Sequence, residues 1–333
     1  MDALSDVLSA VRLTGAVFLE MEMRESWSYL TAPARAIADV LMPAADHVIP
    51  YHLLLSGSCH ARLPDGEPVK MRAGEIVIFP AGDRHILAAG NPSGLRLQPV
   101  DLSGENLRGM LQRGQVMPVR EGNAGGATRI VCGFLACDGR MADPILSSLP
   151  RLLRVNLRDS GTAAWVQSSI QFSMAQSAAQ RPGSAMVLAR LSEVLFAEAV
   201  RQYMEGLPAL QTGWLGALRD RYVGRALALL HDQPAFAWTL DLLSHQVGLS
   251  RSALGDRFAS LVGKAPMQYL TSWRLAMAEA KLRRGEGSIL SIATDVGYES
   301  EAAFSRAFKR EFGSPPAAWR RKVAQSAHRR GNG

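Results

Sequence analysis

Two stretches decide the fold: Leu240-Asp-Leu-Leu-Ser-His-Gln-Val-Gly248 and Ile289-Leu-Ser-Ile-Ala-Thr-Asp-Val-Gly297. Leu240, Leu243, Ser244, Val247 and Gly248 correspond to Ile289, Ile292, Ala293, Val296 and Gly297 at a constant offset of 49. After one inserted residue the correspondence resumes at an offset of 50, with Leu254, Phe258, Gly263, Pro266 and Tyr269 against Phe304, Phe308, Gly313, Pro316 and Trp319. One structural unit therefore occurs twice. In each copy a hydroxyl stands where a first helix can be capped (Thr239, Ser288), and a glycine follows where the chain must turn. A second hydroxyl (Ser250, Ser300) then opens a second helix. That punctuation predicts a helix-turn-helix in each copy.

In the second helices, helical spacing sends Leu254, Phe258 and Leu261 of one copy, and Phe304, Phe308 and Phe312 of the other, to a buried face. The opposite face is left for a partner. It carries Ser250, Arg251, Ser252, Gly255 and Asp256 in the first copy, and Ser300, Glu301, Ala302, Ser305, Arg306 and Lys309 in the second. Residues 265–284 read as one connecting helix, opened by Pro266 and stopped by Gly285. At ~1.5 Å per residue it spans about 30 Å, close to the ~34 Å between successive major-groove faces of B-DNA. Charge agrees: residues 231–333 hold 15 Lys and Arg against 9 Asp and Glu, so +6 of the chain's net +7 lies there. The partner expected is double-stranded DNA. Arg306 is the leading candidate for a base contact, because a guanidinium bridges O6 and N7 of guanine; a phosphate contact is its alternative.

The rest of the 333 residues reads differently, and the whole is expected to be α+β. Tyr51-His-Leu-Leu-Leu55, Cys59-His-Ala-Arg-Leu63, Glu75-Ile-Val-Ile-Phe79 and Thr128–Cys137 are strand-like runs separated by tight turns. From about 162 to 205 the spacing turns helical, in two runs broken by Arg181-Pro-Gly183. This hairpin either covers the strands or pairs with a second copy, giving a homodimer. The segments expected are 1–150 for sensing, 151–212 for the hairpin and 213–333 for DNA binding. No apolar run is long enough to cross a membrane, and the acidic opening Met1-Asp-Ala-Leu-Ser-Asp6 is unlike a signal peptide, so a cytoplasmic protein is expected. Three cysteines, Cys59, Cys132 and Cys137, fit free thiols of a reducing compartment.

The run Trp238–Ser252, the Arg274-Leu-Ala-Met-Ala-Glu-Ala280 helix, the run Val296–Gly313 and the closing Pro316-Ala-Ala-Trp-Arg-Arg321 resemble the DNA-binding domain of the AraC/XylS family of bacterial regulators. The resemblance implies base contacts from Ser252, Gly255 and Asp256 in the first recognition helix and from Glu301, Ser305 and Arg306 in the second. It also implies RNA polymerase as a partner and activation as the outcome. Gly255 and Asp256 depart from the longer polar or basic side chains common at those positions, so the first helix either reads fewer bases or leans on phosphates.

Gly74-Glu-Ile-Val-Ile-Phe-Pro80-Ala-Gly82-Asp-Arg-His85 resembles the second cupin motif, so a cupin-like β-barrel is expected before the hairpin. The first cupin motif is degraded. His52, Cys59, His60 and His85 would converge inside such a barrel, where imidazole and thiolate suit zinc or copper; the alternative is that they are ordinary core residues, with no cofactor required. The opening residues and a cysteine at Cys132 resemble the regulators of this family that respond to reactive chlorine species. However, no cysteine in residues 1–58 stands ready as its partner. Cys132 is therefore either a redox switch answering an oxidant, paired with Cys59 or Cys137, or an inert buried thiol, and a small-molecule effector bound in the barrel is the alternative signal. Two rivals remain: a metal-dependent cupin enzyme with an accessory helical domain, and a constitutive DNA-binding protein.

Overall fold

The protein was analysed as a computed structural model that describes residues 3–11, 13–24, 26–41, 45, 47–90, 98–99, 116–122, 126–137, 139–159, 161–178, 181–208 and 211–331. The chain forms two compact units. One comprises Leu13–Cys137 and Leu149–Gly206, and the other comprises Met1–Arg12, Asp138–Ser148 and Leu207–Gly333. Residues 3–11 and 139–148, grouped with the sensing segment by sequence, thus cluster with the helix-turn-helix repeat.

The first unit is built on two sheets. One has the order β11-β6-β3-β10-β1-β9, from Leu153–Asn156, Glu75–Ile78, His47–Ser56, Thr128–Cys137, Thr14–Met23 and Met117–Glu121. The other has the order β5-β4-β7-β2-β8, from Val69–Arg72, Ser58–Arg62, Ile86–Ala89, Trp27–Leu30 and Gln98–Pro99. Both contribute to one apolar core: Met21, Met23, Leu54, Cys132 and Phe134 from the first, with Trp27, Tyr29, Cys59, Ala61 and Leu87 from the second. The cupin-like region is therefore two sheets across one core, not one continuous barrel, among the described residues.

Helices α4 (Gly161–Ala178) and α5 (Ser184–Gly206) follow these strands and pack on each other, and α5 also lies against β1. The Tyr51 hydroxyl donates to Ser192 Oγ at 2.6 Å, and Ser192 passes its own hydrogen to the Leu188 carbonyl at 2.8 Å. Tyr51 reaches α5 across Gly133, its register partner, where a Cβ would sit 2.3 Å from the ring. The hairpin has one face that covers the strands and one that is exposed. Ile170, Met174, Leu188, Leu195 and Val200 are buried, whereas Trp165, Phe172, Met186 and Val194 are exposed.

The second unit is helical. Helix α1 (Ala3–Val11) buries Ala3, Leu4, Val7 and Val11 against α3 (Gly139–Leu146) and α7 (Arg221–Asp232). Helix α3 also packs on α6 (Trp214–Leu218) and on the long α10 (Pro266–Arg283). Ser148 ties this segment down, because its hydroxyl accepts from the Trp214 backbone N–H at 2.9 Å and donates to the Pro144 carbonyl at 3.0 Å. No described helix is long and apolar enough to cross a membrane.

Candidate functional site

Each repeat folds as two helices about a turn. In the first copy α8 (Leu240–Val247) leads to α9 (Arg251–Val262); in the second, α11 (Ile289–Asp295) leads to α12 (Glu301–Phe312). All four expected caps are made: Thr239, Ser250, Ser288 and Ser300 accept from the backbone N–H three residues on, at 3.0 to 3.2 Å. Each satisfies an N–H that its helix cannot bond internally. Leu254 and Phe258, and likewise Phe304 and Phe308, are fully enclosed; Leu261 and Phe312 are half-buried. Phe308 stacks on Phe312 and is tilted against Phe304, and Trp319 of the last helix, α13 (Pro316–Gly331), meets Phe308 and Phe312 edge-on.

Opposite those faces, Ser250, Arg251, Ser252 and Asp256 are exposed and Gly255 is half-exposed. In the second copy Ser300, Glu301, Ala302, Arg306 and Lys309 are exposed and Ser305 is half-exposed. The two helices differ in how their cations are held. Arg251 lies 3.7 Å from Asp241, and Arg257 donates through Nε and Nη2 to one Asp220 oxygen at 2.8 and 2.5 Å. Arg306 and Lys309 have no ion-pair partner among the described residues. The second helix thus presents the less compensated positive charge.

In the two-sheet unit, strand register places His52 of β3 beside Cys132 of β10. His52 Nδ1 is 3.0 Å from Cys132 Sγ, and His52 Nε2 is 2.7 Å from His85 Nε2. The direction of the chain follows from its far end. His85 Nδ1 lies 2.8 Å from the Asp83 carbonyl, which can only accept, so that nitrogen carries the hydrogen. His85 Nε2 is then an acceptor, His52 Nε2–H donates to it, and the Cys132 S–H donates to His52 Nδ1. Burial, reinforced by the facing His85, holds His52 well below the ordinary imidazole range. Burial also takes His85 down to about 4 against the opposing pull of Asp83. The thiols move the other way: burial and then Cys59 raise Cys132, while burial and then Glu75 push Cys59 up to about 12. Two neutral imidazoles and a protonated thiol form the centre of this unit at neutral pH.

Cys59 lies in the same core, but His60 is on the alternate face of β4 and stays half-buried outside the cluster. No group of three or more His, Cys, Asp or Glu is arranged to hold a metal ion among the described residues. Cys59, Cys132 and Cys137 are buried thiols, none of them in a disulfide.

Residues 2–205 match a family model described as cupin, and residues 243–322 match one described as a helix-turn-helix domain. A putative AraC-like transcription regulator of Streptomyces lividans is 30% identical, with 83% of this chain and 88% of that protein covered. This chain belongs to the AraC-like transcription regulators. It is also similar to the transcriptional regulator AlkR of Acinetobacter baylyi, at 29% identity over 97% of this chain and all of that protein. The RCS-specific transcriptional activator RclR of Escherichia coli is 28% identical over 84% of this chain and 87% of its own length. Relatives of this kind are regulators, so catalysis is not the expected role.

This AraC-like regulator positions its reading head with residues that the sequence reading passed over. Asp220 caps α7 through N–H groups of Tyr222 and Val223, both at 3.0 Å, while its other oxygen holds Arg257 of α9. Burial pushes the Asp220 carboxyl up, but Arg257 and the capping bonds outweigh it and hold it below the usual carboxylate range. Arg274 of α10 donates to the Pro234 and Phe236 carbonyls at 2.6 and 2.7 Å, fixing the loop ahead of α8. Lys281 joins Asp295 at 2.5 Å, linking α10 to α11. An Asp–Arg pair 37 residues apart has no local signature, so only the fold could reveal it.

Proposed function

We propose that this AraC-like regulator is an effector-responsive activator that reads two boxes of duplex DNA, one with each recognition helix. The observation that carries the reading is the pair of capped helices, α9 and α12, each with one enclosed apolar face and one exposed polar face. They flank an α10 of 18 residues, about 27 Å at ~1.5 Å per residue. Ser250, Arg251, Ser252, Gly255 and Asp256 face one groove, and Ser300, Glu301, Ala302, Ser305, Arg306 and Lys309 face the next. Segment 1–150 senses, 151–212 pairs two chains through the exposed side of the hairpin, and 213–333 reads DNA in the cytoplasm and meets RNA polymerase.

A small molecule suits the signal better than an oxidant. Burial keeps the Cys59 and Cys132 thiols protonated, whereas oxidation proceeds through an accessible thiolate. The test is selection of bound sites from random duplexes at two salt concentrations, with and without hypochlorite. Two enriched boxes one helical turn apart, unchanged by hypochlorite, are expected. Binding without enrichment sinks the specific-regulator reading, and a motif lost on oxidation replaces the small molecule with the oxidant that the relation to RclR suggests.

A further inference from the structure

A cavity of about 550 Å³ lies in the two-sheet unit where α2 (Ala34–Leu41) packs on β3, beside the corner Pro80–Arg84 that precedes β7. Its floor is fixed by the backbone. The Gly82 N–H donates to the Phe79 carbonyl and the Ala34 N–H to the Gly82 carbonyl, both at 2.9 Å. Gly82 holds φ at +69°, and a Cβ on it would sit 2.9 Å from the Val48 carbonyl oxygen and 3.0 Å from Ala34 Cβ. Corner, helix and strand are therefore packed to contact. At the edge His47 Nε2–H donates to the Pro80 carbonyl at 2.5 Å, which ties the start of β3 to the same corner.

The titratable groups on the lining are Arg35, Arg84, His47 and Asp83. Asp83 is already held: Arg151 donates to both of its oxygens at 3.0 Å, and also reaches the exposed Asp65 at 3.5 Å. Arg35 and Arg84 are exposed and have neither an ion-pair nor a hydrogen-bond partner among the described residues. Two guanidinium groups thus stand over a rigid floor with their donors uncommitted. Each matches a carboxylate or a phosphate through two parallel N–H bonds. The rest of the described lining is small and aliphatic, as at Pro33, Ala38 and Ala81. Such walls give a large apolar acid little to pack against and leave room for a compact anion.

We infer that this cavity takes a compact organic dianion, held by Arg35 and Arg84 through paired carboxylate or phosphate oxygens. The inference rests on the proposal that segment 1–150 senses, and it names the class of effector. Occupancy has a route into the core of the same unit. The Asp83 carbonyl, next to Arg84 in the corner, accepts from His85 Nδ1 at 2.8 Å, and His85 Nε2 meets His52 at 2.7 Å. A ligand that draws Arg84 of the corner and Arg35 of α2 together therefore pulls on the residues that orient His85.

The probes are succinate and glycerol 3-phosphate, titrated calorimetrically into the full chain without DNA at physiological ionic strength, where a Debye length of about 8 Å screens loose surface attraction. Acetate and sulfate are run beside them. Saturable 1:1 binding of at least one dianion is expected, at least tenfold tighter than acetate or sulfate, and the tighter of the two tells a carboxylate source from a phosphate source. Arg35→Gln and Arg84→Gln should each weaken it at least tenfold, as should Ala81→Glu, which adds a carboxylate to the lining. All three positions are exposed, so the fold tolerates these changes. Arg72→Gln, at an exposed arginine of β5 outside the cavity, should leave binding unchanged. With a selected duplex, the bound dianion should shift DNA affinity severalfold. No saturable binding of either dianion, sulfate bound as tightly (an adventitious ion only), an equal loss in Arg72→Gln, or an unchanged DNA affinity overturns the inference. Because the calorimetry is done without DNA, failure to select any DNA sequence sinks the functional proposal separately.

Discussion

Two residues make opposite demands: Arg306 stands exposed on α12, where base reading is proposed, and His231 is buried in the helical unit. Replacing Arg306 by Ala should relax preference at one base position and cost on the order of 1 to 3 kcal/mol there. Equal weakening on every duplex, read in the same selection assay, would make Arg306 a phosphate contact. His231 concerns stability. Burial alone takes its pKa down to about 3, so the folded protein holds it neutral while the unfolded chain titrates near 6.5. Its contribution is complete above about pH 6.5 and is lost as pH falls toward 3, a span on the order of 5 kcal/mol. Urea midpoints should therefore drop steeply between pH 7 and pH 4, and His231→Gln should flatten that slope; an unchanged slope would show that other groups govern acid unfolding.

At the scale of the element, the two turn glycines look equivalent in sequence and are not equivalent in space. Gly248 and Gly297 both hold a left-handed backbone, at φ of 80° and 86°. A Cβ on Gly248 meets nothing, whereas on Gly297 it would sit 2.7 Å from the Ala235 backbone and 2.9 Å from the Arg274 guanidinium. Gly248→Ala should cost about 1 to 2 kcal/mol, the strain of a left-handed alanine. Gly297→Ala should cost clearly more, and should loosen the α10–loop contact that Arg274 makes. Equal losses in thermal melts would refute the difference.

The four caps and the enclosed faces of α9 and α12 were legible because each depends on local spacing, and the repeat because the same local pattern recurs at an offset of 49 to 50 residues. What escaped was long-range: Ser148 on Trp214, Asp220 on Arg257, and the assignment of α1 and α3 to the helical unit. The convergence of His52, His85 and Cys132 was half legible, since the cupin motif pointed to His85 and the apolar strand around Cys132 to a buried thiol. The exclusion of His60 follows from a one-residue register that composition does not reveal.

For the whole molecule, the proposed homodimer would bring two recognition helices to four. The exposed side of the α4–α5 hairpin carries Trp165 at 61% exposure, Phe172 at 67% and Met186 at 65%. Their sequence spacing sets Trp165 and Phe172 seven apart, two helical turns, so they share one side of α4. Aromatic and methionine side chains are the types enriched at the centres of protein interfaces, and a run of them left in water marks such a surface. The proposed homodimer through this side makes a specific demand. Phe172→Glu should leave the monomer's stability within about 0.5 kcal/mol, because the residue is mostly in water already. It should nevertheless convert a dimer to a monomer in sedimentation, since a like-charged pair across a two-fold contact has no compensating partner. DNA binding should then lose its cooperativity across paired half-sites and keep its affinity for a single half-site. A variant that remains dimeric would move the contact elsewhere, while one that loses single-site binding as well would show the hairpin to be structural.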